Sequence, residues 1–226
     1  MLHCMVRQDF PRALSFQKCS VDYDAAEHVA AMLQSNRIVS LAIDKCKFDV
    51  RTAYNLADAL SNNHSLQQFA IITKETFNST CSYPSEKIIL RGLAKMIPTN
   101  CENFHELVIS TGETSCAKTL EEIQVALAQP GMSSSFQKLT IKQESGISDT
   151  LMEKIASLLH GYGKITALRL ESWHVTPGAW RILSNLLSHG NVIQRLDLGS
   201  LRLNSDLVEH TSTLSGVMGT WRIHEF

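Results

Sequence analysis

The chain has 226 residues, 44% of them apolar and 19% charged, a balance that supports a packed core and excludes a disordered chain. Its 21 basic and 22 acidic residues leave a net charge of −1. With no Lys/Arg cluster to grip phosphates, nucleic acid is excluded as the main partner.

The N-terminal stretch MLHCMVRQDF has no basic segment followed by an apolar one, so no secretory leader is read there. No apolar run approaches the roughly 20 residues that span a bilayer, and no membrane partner is expected. The first element begins at Pro11 and places apolar or small residues at Leu14, Phe16, Cys19 and Val21. AAEHVAAMLQSN follows, with Val29, Met32 and Leu33 on one helical face. RIVSLAIDKCKF then repeats the first cadence as Ile38, Leu41, Ile43, Cys46 and Phe48. RTAYNLADALSNN is a second helix, with Tyr54, Leu56, Ala59 and Leu60 on its stripe.

The cadence returns at Leu66, Phe69, Ile71, then at Phe104, Leu107, Ile109 and at Phe136, Leu139, Ile141. It returns again from Ile165, Leu168, Leu170 and from Ile193, Leu196, Leu198, and closes on Met218, Trp221, Ile223. Between the copies lie SEKIILRGLAKMI, TLEEIQVALAQ, TLMEKIASLLHG and PGAWRILSNLLSHG, each amphipathic at helical spacing. Thr176-Pro177 reads as an N-cap and first-turn proline, Thr150 with Glu153 as a capping box, and Gly161 and Gly190 as helix stops. The middle apolar residues of the eight copies are separated by 27, 28, 38, 32, 29, 28 and 25 residues. A period near 28 is a repeat signature: one strand–helix unit cannot bury its own apolar face, and stacked units share a core.

This cadence, apolar-x-x-apolar-x-apolar-x-x-Cys/Asn-x-apolar with a helix in every period, resembles the ribonuclease-inhibitor-like leucine-rich repeat family over residues 11–226. The resemblance implies an α/β solenoid, a horseshoe of about eight irregular repeats with a parallel β-sheet on its concave face and α-helices on its convex face. The family holds a small polar residue in the turn. Cys19 and Cys46 conform, whereas Lys74, Gly112, Glu144, Trp173, Leu201 and Phe226 fill the equivalent slots, so irregular turns are expected. Residues 1–226 are read as a single domain with an inserted loop at residues 73–85, where KETFNSTCSYPSEK lengthens one period. A smaller excess, AQPGMSSSF, precedes the fifth strand. Neither end reads as a cap, so the chain is expected to belong to a longer one or to pack an end on a partner.

Residues beside each middle apolar position should line the open sheet. They are mild in the N-terminal half, at Ala13, Ser15, Gln17, Ser40, Ala42, Gln68 and Ala70, apart from Asp44. They become charged at Lys138, Lys142, Arg169, Glu171, Arg195 and Asp197, with Arg222, His224 and Glu225 at the end. The eight up to His224 are the candidate partner-binding residues, set against a reading as mutually neutralising cross-strand pairs. Six cysteines and nine histidines are dispersed without zinc-ligand spacing, and no phosphate loop, dinucleotide fingerprint or nucleophile elbow occurs. No cofactor, metal site or intrinsic enzyme is therefore expected. Scattered thiols point to a reducing compartment, the cytosol.

By analogy of fold, the resemblance implies a protein–protein interaction module. Its partner is a protein or another domain of the same chain. The setting is the sensing or autoinhibitory repeat domain of an innate immune receptor, or a bacterial effector in the host cytosol. The alternatives are a GTPase regulator of the Ran GTPase-activating type, although no catalytic residue of that family can be matched here, and a structural self-assembly domain.

Overall fold

A computed structural model describes residues 12–73, 84–99, 102–128, 135–172, 174–188 and 193–199. The elements run in order as strand β1 (Ala13–Gln17), the two-residue strand β2 (Ser20–Val21) and helix α1 (Tyr23–Gln34). Next come β3 (Ser40–Asp44), the short β4 (Lys47–Phe48) and α2 (Val50–Ser61), then β5 (Gln68–Ile72), α3 (Pro84–Thr99), β6 (Glu106–Ser110) and α4 (Glu113–Leu127). The chain continues through β7 (Lys138–Gln143), α5 (Asp149–Tyr162), β8 (Ala167–Ser172), α6 (Pro177–Ser188) and β9 (Arg195–Asp197). The result is an α/β fold. Among the described residues, seven parallel strands lie in the order β1-β3-β5-β6-β7-β8-β9, and six helices each pack on the next. Among the described residues no helix is long and apolar enough to cross a membrane.

The register turns the sequence cadence into rows. Leu14, Leu41, Phe69, Leu107, Leu139, Leu168 and Leu196 stand opposite one another strand by strand, and Phe16, Ile43, Ile71, Ile109, Ile141 and Leu170 form the next core row. Both rows face the helices, and from β3 onward every member is buried. Burial of each such side chain contributes about 1.5–3 kcal/mol relative to exposure. The first apolar position of each copy builds a third layer: Ile38, Leu66, Phe104, Phe136 and Ile165 are buried below the strand starts. There the Phe104 and Phe136 rings meet at 5.8 Å, and Tyr162 stacks on Phe136 at 6.2 Å.

Each strand start carries the same backbone device. Two successive N–H groups donate to a single carbonyl of the preceding unit: Val39 and Ser40 to Arg12, Gln67 and Gln68 to Val39, and His105 and Glu106 to Gln67. Gln137 and Lys138 donate to His105, Thr166 and Ala167 to Gln137, and Gln194 and Arg195 to Thr166. Six copies of one bifurcated contact, spaced with the apolar cadence, show that the sequence period is a structural period.

Helix starts follow the cap chemistry. Asp22 and Asp49 accept from the N–H groups of Ala25 and Thr52 at 2.8 and 2.7 Å, and Thr176 Oγ1 accepts from Ala179 at 3.2 Å ahead of Pro177. Helix α3 opens at Pro84, as the sequence suggests. Helix α5 differs from expectation. Ser148, two residues before Thr150, is the cap: its backbone is extended, its Oγ accepts from Leu151 N–H at 3.2 Å, and its hydroxyl donates to Glu113 at the start of α4. The α5 stop likewise moves from Gly161 to Gly163, whose φ of +64° closes the helix in the left-handed region. Tyr54 is another correction. The buried stripe of α2 runs through Ala53, Leu56, Ala57 and Leu60, and Tyr54 lies off it, 62% exposed.

Cys19 and Cys46 occupy matching turns. Lys18 and Lys45 precede them at φ +50° and +53°, and the short β2–β4 ladder follows. Asn63 is a structural residue: it is buried, donates to Leu33 O at 2.6 Å and accepts from Leu66 N–H at 2.8 Å. Trp180 is buried on the core side of α6. Trp173, the slots at Lys74, Leu201 and Phe226, the 74–83 part of the insertion and the eighth copy around Trp221 lie outside the described residues.

Candidate functional site

Because alternate strand residues point to opposite faces, the sheet face away from the core rows is open, and its side chains form three further rows. The first reads Ala13, Ser40, Gln68, Glu106, Lys138, Ala167, Arg195, and the second Ser15, Ala42, Ala70, Val108, Thr140, Arg169, Asp197. In the third, Gln17, Asp44, Ile72 and Ser110 align, and Lys142 aligns with Glu171. The open face thus has two districts. The middle strands present a small, apolar floor of Ala42, Ala70, Ile72 and Val108. The last three strands present charge.

The charge is ordered. Glu171 sits between two cations, taking Lys142 Nζ at 2.8 Å and Arg169 Nε at 2.6 Å. Arg169 also reaches Asp197 at 3.6 Å through Nη1. Both carboxylates are largely screened from solvent, with side-chain exposures of 19% and 14%. Arg169 and Arg195 lie on neighbouring strands but not side by side: Arg169 is opposite Asp197, and Arg195 is opposite Ala167. Lys142, Glu171, Arg169 and Asp197 thus form one connected ion network, two of its contacts across strands and one within β8.

Lys138 and Arg195 differ from these four. They are exposed and have no ion pair among the described residues. Both lie in the first row, two strands apart, with Ala167 between them. The missing bulk at Ala167 leaves a shallow depression, bordered by Glu106, Lys138, Arg169, Arg195 and Asp197. Over this district four cations (Lys138, Lys142, Arg169, Arg195) face three carboxylates (Glu106, Glu171, Asp197), an excess of one positive charge. Arg222 and His224 lie outside the described residues.

Sequence reasoning missed Glu106, Ser110, Thr140 and Ala167 on this face, and also two apolar residues, Ile72 and Val108. The signal of the last two was available: each is an apolar residue at a spacer position of the cadence, where solvent-facing side chains are the rule. A rim contact was also missed. Lys45, after β3, reaches Glu144, after β7, at 3.9 Å, spanning the ends of the two strands between them. Among the described residues, no three His, Cys, Asp or Glu side chains are grouped to hold a metal ion. No protein-family profile and no curated protein matches this chain.

Proposed function

We propose that the chain is a leucine-rich-repeat solenoid of the ribonuclease-inhibitor-like type that acts as a protein–protein interaction module, not an enzyme, in the cytosol. In this reading the open sheet is the concave surface, and the charged district over β7–β9 contacts an acidic group of the partner. The repeat reading is supported by the six bifurcated strand-start contacts and by the unbroken chain order of the strands. The single observation that carries the binding reading is the pair Lys138 and Arg195. Both are held in one row over Ala167 beside a network that has already neutralised its own charges. Exposed cations at the border of a depression steer an anionic partner and contribute to its selection.

Reversing Arg169 unbalances an internal network, whereas reversing Lys138 and Arg195 changes the surface that a partner meets. Affinity capture from cytosolic lysate should compare the wild-type chain, Lys138→Glu/Arg195→Glu, and a control reversed on the helical face, Glu153→Lys. Circular dichroism verifies the fold of each. The expected result is a specific protein retained by wild type and control and lost from the double variant. Equal capture by all three overturns the assignment of the site.

A further inference from the structure

The turns after β1 and β3 hold a feature that the binding reading does not use. Cys19 and Cys46 belong to successive units, and their Sγ atoms lie 3.4 Å apart. The backbone around them is already in disulfide register. Lys47 N–H donates to Cys19 O at 2.9 Å, and the next residues pair as Ser20 with Lys47 and Val21 with Phe48 in parallel. Adjacent strands stand about 4.8 Å apart, inside the roughly 4.4–6.8 Å between α-carbons that a disulfide bridges. Both thiols are partly exposed, so a small oxidant reaches them, whereas Cys116 is fully buried.

We propose that Cys19 and Cys46 form an oxidisable thiol pair, a modification site that takes a hydroperoxide and closes to a disulfide joining the first two strand–helix units. The two sulfurs face each other at 3.4 Å, and burial pushes the Cys46 thiol up to about 11, which favours Cys19 for the first attack. The Cys19 thiolate attacks one peroxide oxygen. The O–O bond breaks, and the other oxygen leaves as water after taking up a proton. Cys46 sulfur then attacks the sulfur of the resulting Cys19 sulfenic acid, forming the S–S bond and expelling hydroxide, which takes the Cys46 proton as a second water. Two thiols and one hydrogen peroxide give one disulfide and two waters, with two electrons passing from sulfur to oxygen.

Closure would end the contact between Cys46 Sγ and Asp44 O, now 3.4 Å. It would also tie together the turns whose lysines, Lys18 and Lys45, border the sheet. In a reducing compartment such a bond is transient and reports oxidant.

The test exposes the folded chain to hydrogen peroxide, quenches it with an alkylating agent and maps the peptides without reduction. The expected product is a linked Cys19–Cys46 peptide, an intact mass lower by two hydrogens, a higher unfolding midpoint, and full reversal by dithiothreitol. In Cys46→Ser the resolving sulfur is gone, so Cys19 should trap a sulfenic-acid probe and pass on to the sulfinic acid. Cys46→Ala repeats this should the serine variant fold poorly. Recovery of alkylated Cys19 and Cys46 from treated wild type overturns the proposal. So does Cys19 reaching the sulfinic acid equally fast with and without Cys46.

Discussion

The first two strand–helix units and the last three described units share one core plan and differ at their turns and on their open face. In the first units the turns are near copies: a left-handed lysine, a cysteine, a short ladder and an aspartate cap. In the later units β7 and β8 are six residues long instead of five. There the turn after β7 needs Gly146 at φ +116° to bring Ile147 to its bridge with Val175. The first units carry a largely neutral face and the later ones an ordered charge network. The core rows run through both without a break. Stacking thus depends on three apolar positions per unit, which leaves turns and face free to vary.

If the core rows are equivalent along the sheet, removing a large side chain from either half should cost the same. Leu41→Ala and Leu168→Ala each empty a buried position of the middle row and are expected to lose about 2–5 kcal/mol in urea unfolding. A loss confined to one of them would break the equivalence.

Between the halves lies Glu86, in the first turn of α3. Burial raises its carboxyl from 4.5 to about 7, partly offset by a hydrogen bond to Thr73. The folded chain therefore holds a proton there that the unfolded chain has released, and stability should fall as pH rises from 4.5 to 7 and level off above. Glu86→Gln should flatten that fall, gaining on the order of 2 kcal/mol over wild type at pH 8 and nothing at pH 4, read by unfolding at both values.

The junction of α2 and α3 yields a smaller effect of definite sign. A Cβ on Gly92 would stand 2.4 Å from the Ala57 carbonyl oxygen. Gly92→Ala should destabilise by about 1–3 kcal/mol, although alanine is the better helix former by about 1 kcal/mol.

The caps separate the halves by chemistry. Ser148→Ala should cost about 1 kcal/mol at any pH. Asp49 is different: the Thr52 N–H holds its carboxyl below the usual range. Its contribution should be present above the normal carboxylate range and fade as pH falls through the depressed value. Comparing Asp49→Ala with wild type at neutral and acid pH tests this.

Smallest is the face itself. Glu171→Gln removes the shared partner of Lys142 and Arg169 and should change stability by roughly 0.2–1 kcal/mol, diminishing with added salt.

Much of the fold was legible because burial leaves a period. All seven middle residues from Leu14 to Leu196 fall into one row. Helix starts were legible where a single polar residue precedes the stripe, as at Thr176. At α5 the cap is Ser148 and not Thr150, and Ser148 also donates to Glu113, a contact 35 residues away in sequence that no local pattern reveals. Tyr54 was misplaced because an aromatic residue beside an apolar stripe looks the same in sequence whether it lies on the stripe or next to it. On the face, the cadence identified which residues point outward. The row of middle residues also carries their register: Arg169 and Asp197 each follow a middle leucine and stand opposite, whereas Arg195 precedes one and stands over Ala167. The ion pairs within that register are what the cadence does not show.

The most direct measurement is site-specific photo-crosslinking in cytosolic lysate. A photoreactive residue is placed at Ala167, on the open sheet, or at Val125, 70% exposed on α4. A partner bound through the charged district gives a discrete adduct from Ala167 and none from Val125, and the adduct disappears with Lys138→Glu/Arg195→Glu. An adduct from Val125 with none from Ala167 would contradict the assignment and move binding to the helices.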